Sequence, residues 1–377
     1  MRNSVHILIL CLASLFVAGC DESVSDVPAP EKEIWVNLNI GVALSDAAKP
    51  VRSSRADGNE EAAANEAEKM QTLRIVVVDK NGDVEANRFL YAGSVVEYGE
   101  EHFKVRANET KQVYVFVNEN NESVKVYDAT GGLVADLHDY LGGIEVGEPF
   151  PRESIEGLEI RLNDGVDSEL DAVGDASAQS AGGLPMSKCE SIEVYDKDMS
   201  HDIYLHRAAV KFTFNIKNES SLDRVLTGLS IDKMAYREYY LPRVDEYKYV
   251  GGKPTEIVDF DTPSPEGTNN GYYTFEKSFE RGISLPKGKE VTAPLVYLLE
   301  GKYESAAVAD AAKNYSMTIS LNGAKTQAKV FDNLDRLPRN THVVVNITIK
   351  DRTIKWGVDL RPYGEVKLDP DFGLDRD

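Results

Sequence analysis

The sequence predicts an all-β protein of two β-sandwiches in tandem, carried behind an export signal. Three observations predict it. Apolar residues recur at every second position through most of the chain, which is the period of a half-buried strand. The runs are short and are separated by Gly, Pro, Asn and Asp clusters, the punctuation of sandwiches. At 377 residues the chain is long for one such sandwich and fits two of about 150 residues each.

The first element is the signal. Arg2 is followed by an almost uncharged apolar run over residues 5–18. A helix that stays in a bilayer needs about 20 apolar residues, so residues 1–19 read as a signal peptide. The run ends in Val17-Ala18-Gly19-Cys20, which looks like a lipobox. Small residues suit the peptidase, and the Cys20 thiol receives the lipid. No later segment is apolar enough to cross a membrane, so the remainder is expected to be soluble and tethered. Cys11 lies within the signal, which leaves Cys189 alone, with no disulfide partner and no zinc spacing.

Residues 20–55 read as a lipidated propeptide holding one strand and part of a linker. Ile34, Val36, Leu38, Ile40, Val42 and Leu44 are apolar at every second position, with Asn37, Asn39 and Ser45 on the other face. Residues 47–70 follow with no apolar period, as an exposed linker. Arg52 and Arg55 lie in it, accessible to an arginine-specific protease.

The first sandwich is expected over residues 56–205, with strands at 72–78, 103–107, 112–117, 123–127, 192–195 and 203–205. Asn81-Gly82 marks a hairpin turn, because both residues tolerate positive φ. One short helix is expected at 133–141 and an acidic loop at 163–183. The second sandwich is expected over residues 206–350, with strands at 209–216, 226–234, 272–279, 291–297, 316–321, 328–331 and 342–349.

Residues 351–377 form a tail with a strand-like pattern. Its even positions carry Trp356, Val358, Leu360, Pro362, Gly364, Val366, Leu368, Pro370 and Phe372, and its odd positions are mostly polar. Two amphipathic strands therefore stand at opposite ends of the chain, one of them behind a cleavable linker. Removing residues 34–44 would open a groove with an apolar floor and unpaired backbone edges, which another molecule's tail could fill by strand addition. Six apolar side chains at roughly 1.5–3 kcal/mol each give about 9–18 kcal/mol as an upper figure.

The search for chemistry excludes more than it finds. A net charge of −21 argues against nucleic acid and against docking on anionic lipid through the folded body. The histidines His6, His102, His138, His201, His206 and His342 have no metal-pair spacing, and no zinc-protease, serine-hydrolase or phosphate-loop motif occurs. Asp79, Asn81 and Asp83 resemble half of a calcium loop, but the glycine falls at 82 rather than 84, no glutamate follows at the right distance, and a hairpin turn is the simpler reading. Asp164, Asp167, Asp171 and Asp175 read as a solvated loop. No enzymatic activity, cofactor or metal is expected.

Six segments in order resemble the fimbrillin family, the fimbrial subunits of Bacteroidia. They are the lipobox, the arginine-containing linker, Leu73-Arg74-Ile75-Val76-Val77-Val78-Asp79, Gly183-Leu184-Pro185-Met186-Ser187, Arg207-Ala208-Ala209-Val210-Lys211 and Leu337-Pro338-Arg339-Asn340-Thr341-His342. The resemblance implies two transthyretin-like sandwiches and export as a lipoprotein to the outer-membrane surface. It also implies loss of the first strand by cleavage after an arginine, then assembly with other fimbrial subunits by strand exchange. By position Arg55, in Ser54-Arg55-Ala56, matches the processing site, with Arg52 as the other choice. Residues 34–44 match the removed strand and residues 356–372 the donor. The ending from Pro362 to Leu374 is more like minor, tip or anchor members than the major ones, and a receptor on a host or bacterial surface is a further partner. A reading from a different class is a monomeric anchored lipoprotein that binds glycan or host protein through an aromatic platform at Tyr236, Tyr239, Tyr240, Tyr247 and Tyr249.

Overall fold

The computed structural model describes residues 33–45, 66–96, 98–121, 124–161, 183–263, 272–302, 314–331, 334 and 336–362. The signal, Cys20, Arg52, Arg55, the aspartates of the acidic loop, Val366, Leu368 and Phe372 lie outside these residues.

The first group of strands runs β1 Trp35–Leu44, β2 Met70–Val78, β3 Val84–Val96, β4 Tyr98–Arg106, β5 Glu109–Val117, β6 Met186–Val194 and β7 Met199–Leu205. They form two sheets, ordered β7-β1-β4 and β3-β2-β5-β6. One core fills the space between them, with Leu38, Ile40 and Val42 of β1 against Ile75, Val77 and Val115. The unbroken apolar run of β2 has a physical cause. Leu73, Ile75 and Val77 face that core, while Val76 and Val78 face a second core on the sheet's other side.

That outer core is covered by two short helices, α1 Leu137–Gly142 and α2 Arg152–Glu156. The expected helix at 133–141 is therefore shifted, because Leu133–Val134 pair as a strand. Asp136 sets the start of α1: its carboxylate accepts from the Asp139 N–H at 2.9 Å. The turn after β2 is a hairpin turn. Asp79 Oδ1 accepts from the N–H groups of Asn81 and Asp83, and Gly82 holds φ +93°.

The second group comprises β8 Val210–Asn218, β9 Arg224–Met234, β10 Arg243–Val250, β11 Lys253–Asp261, β12 Tyr273–Leu285, β13 Glu290–Leu298, β14 Ser316–Leu321, β15 Thr341–Ile349 and β16 Ile354–Pro362. A sheet ordered β13-β8-β15-β16 faces one built on β12-β9-β14, and the core between them holds Phe212, Phe214, Ile231, Phe275, Ile319 and Val345. β10 and β11 make a separate hairpin that periodicity did not single out. Its outward face is charged, and only the Gly251-Gly252 turn, with φ +60° and +81°, marks it. Among the described residues no helix is long and apolar enough to cross a membrane.

Candidate strand-exchange groove

β1 is the middle strand of its sheet. It runs antiparallel to β4, from Trp35 opposite Arg106 to Ala43 opposite Tyr98, and parallel to β7, from Leu38 opposite Met199 to Leu44 opposite Leu205. Both of its edges are therefore hydrogen-bonded. Val36, Leu38, Ile40, Val42 and Leu44 are all buried, and three of them are 0 % exposed. At about 1.5–3 kcal/mol each their burial contributes roughly 8–15 kcal/mol, an upper figure. Ile34 lies before the strand and is exposed.

The other face of β1 carries polar contacts. The Asn37 N–H and its side-chain amide donate to the two Asp198 carboxylate oxygens at 2.8 and 2.9 Å. These bonds, the backbone one first, hold the Asp198 carboxyl below its ordinary range. Asn39 Nδ2 donates to Ser200 Oγ at 3.4 Å, and its Oδ1 meets the His102 ring. Gly41 lies beneath Tyr98 and Asp202, where a Cβ would come within 2.4 Å of Asp202 Oδ1.

The far end of the strand enters a buried polar network. The Ser45 N–H donates to Leu205 O at 2.9 Å, and Ser45 Oγ accepts from Asn340 Nδ2 at 2.9 Å. Asn340 Oδ1 accepts from Arg207, whose Nε donates to Glu68 O at 2.7 Å. Glu68 also pairs with Lys211 at 2.8 Å and accepts from the Tyr297 hydroxyl. Next to Asn340, Arg339 is clamped on Glu300 at 2.6 Å. Burial opposes the Arg339 charge, but Glu300 and Glu238 outweigh it and hold the guanidinium ionised. Burial raises the Glu238 carboxyl above its ordinary range, against the pull of Arg339 and with help from Glu300. His206 is pushed down to about 3 by burial first and then by Lys188, Arg339 and Arg207. Two of the segments quoted from the sequence, 207–211 and 337–342, therefore meet in space at the end of β1. Nothing local signals this contact, because Ser45 and Asn340 are 295 residues apart.

At the other end of the chain, Trp356, Val358 and Leu360 lie in β16, which pairs antiparallel with β15 from Ile354 opposite Ile349 to Pro362 opposite Thr341. The sheet thus runs one strand beyond the one at 342–349. Trp356 and Val358 are half-buried against the second core, whereas Leu360 is exposed.

The five tyrosines do not share one exposed face. Tyr240 is buried, Tyr247 stacks on His206, Tyr236 packs edge-on against Tyr273, and Arg243 covers Tyr239 at 3.7 Å. Tyr249 is the exposed member. Burial pushes the Cys189 thiol up to about 11, which favours its protonated form at neutral pH. Among the described residues no group of three His, Cys, Asp or Glu is placed to hold a metal ion.

Solved structures of bacterial fimbrial and cell-adhesion proteins have a similar fold. A candidate cell adhesion protein from Parabacteroides distasonis shares it at 12 % identity and a TM-score of 0.53, over 88 % of this chain and 98 % of that one. The C-terminally truncated tip fimbrial protein Mfa3 from Porphyromonas gingivalis shares it at 13 % identity and a TM-score of 0.50, over 87 % and 99 %. At such identities the likeness establishes the fold, and that fold agrees with the resemblance to the fimbrillin family. No protein-family model and no curated protein matches the sequence.

Proposed function

We propose that the protein is a structural subunit of a surface fimbrium, exported as a lipoprotein through Cys20 and polymerised by strand exchange after cleavage at Arg55 or Arg52. One observation carries the reading: β1 is the central strand of its sheet, hydrogen-bonded to β4 and β7, yet joins the fold only through residues 46–65. A cut there leaves it held by non-covalent contacts alone. Its departure would expose the apolar floor of the groove and the inner edges of β4 and β7. Both edges lie parallel or antiparallel to any strand that enters, so a partner's strand can restore the ladder as well as the core.

The donor in this reading is the tail from Trp356 to Phe372. Its first part is an edge strand here, held on one side by β15, and an edge strand can leave its sheet at the cost of a single ladder. The fold shared with fimbrial and cell-adhesion proteins supports a place on the cell surface among other subunits.

N-terminal sequencing of the surface form tests the processing step. Ala56 at the terminus supports a shaft or tip subunit, whereas a retained Cys20 identifies an anchor or a monomer. Digestion with an arginine-specific protease should then produce SDS-resistant ladders, and deletion of residues 351–377 should abolish them. A digested protein that stays monomeric defeats the proposal.

A further inference from the structure

We infer that Asn340 is the register stop of the groove, the residue that decides how far a strand lying there can slide along its own axis. The alternation of β1 does not decide this. A slip of one residue turns the apolar face outward, but a slip of two leaves one aliphatic side chain where another stood. Val36, Leu38, Ile40, Val42 and Leu44 are near-equivalent in this respect.

Asn340 breaks the tie because its amide cannot turn. Its Oδ1 accepts from the Arg207 N–H at 3.2 Å and from the guanidinium at 3.1 Å, so Nδ2 faces the opposite way, towards Ser45 Oγ at 2.9 Å. Its backbone is pinned too: the N–H donates to Ala209 O at 2.8 Å, and φ is +59°. Asn340 is 6 % exposed and Ser45 4 %. A slipped strand that presented carbon at this place would leave a buried amide N–H unpaired.

The rule constrains the partner, and this consequence rests on the strand-exchange reading. An entering strand needs an oxygen acceptor one residue past its last inward apolar side chain. In the tail, Leu360 and Val366 are followed by Arg361 and Lys367, and Phe372 by Gly373. Ending at Val358-Asp359 would turn Lys350 and Arg352 inward. Ending at Pro370-Asp371 would place Pro362 and Pro370 at the two ends of the ladder, and ending at Leu368-Asp369 would place Pro362 in the place of Leu38, so both registers forgo a backbone N–H. Either register puts an aspartate, Asp369 or Asp371, in the place of Ser45, with the carboxylate beside Arg207.

The test uses the full chain, cut with an arginine-specific protease and refolded from urea with labelled peptide. A peptide of residues 33–45 should bind, and Ser45→Ala should weaken it about tenfold. That loss should vanish in the Asn340→Gly protein, where glycine keeps the positive φ. An equal loss on both proteins overturns the stop. For a peptide of residues 356–377, one of Asp369→Ala and Asp371→Ala should weaken binding and the other should not, and binding indifferent to both overturns the need for an acceptor at this place. A tail peptide that never binds, while Ser45 and Asn340 remain coupled, defeats donation by the tail and leaves the stop standing.

Discussion

Most of the polar residues that shape the groove are buried, and burial decides their chemistry. His206 shows the effect most plainly. Its ordinary value is 6.5 and in the fold it falls to about 3. Above pH 6.5 it is neutral whether the chain is folded or not, so it has no influence on stability. Below that value the unfolded chain takes up a proton that the folded one refuses, so stability falls as the pH drops from 6.5 towards 3. At pH 5 the loss from this residue is about 2 kcal/mol as an upper figure. His342 adds to it over the narrower window from 6.5 to about 4, again through burial first, with the Lys211 charge second. Urea denaturation at pH 7 and pH 5 should show a lower midpoint at pH 5. His206→Phe, which keeps a ring against Tyr247, should shrink the difference, and an unchanged difference counts against this account. No sequence pattern marks His206 as special, because its state depends first on burial and then on the charges of Lys188, Arg339 and the adjacent Arg207.

The most legible element is β1. Its alternation stands out in the sequence, and of the predicted inward set from Ile34 to Leu44 all are buried except Ile34, which lies before the strand. Period-two reading works here because one face meets a core and the other meets polar neighbours. It is weaker for β2, which has a core on each side, and for the β10–β11 hairpin, whose outer face is largely solvated. It also cannot distinguish a strand that ends a sheet from a tail that leaves it, as residues 354–362 show. Because β1 sits at the centre, truncating it should be costly: Ile40→Ala is expected to destabilise the protein by about 2–5 kcal/mol. Denaturant midpoints measure this, and a change below about 0.5 kcal/mol, the range of surface substitutions, would mean that β1 is not part of the cooperative core.

For the molecule as a whole, the prediction concerns what remains when β1 is gone. A chain beginning at Ala56 keeps every other strand but presents an open groove between β4 and β7. It should melt at a lower temperature than the full chain, and added peptide of residues 33–45 should raise the melting temperature in proportion to its concentration. A melting temperature indifferent to the peptide would show that the groove closes by rearrangement instead of waiting for a strand.

The all-β class and the inward face of β1 were determined by sequence alone, since each rests on local periodicity. The place of β1 in its sheet was not. A strand's own pattern says which side chains turn inward, but its neighbours are chosen by pairings between residues such as Leu44 and Leu205 that lie far apart in the chain. The same holds for the contact of Asn340 with Ser45 and for the pairing of Trp356 and Val358 into the second sheet. Those depend on long-range packing, which only the tertiary structure decides.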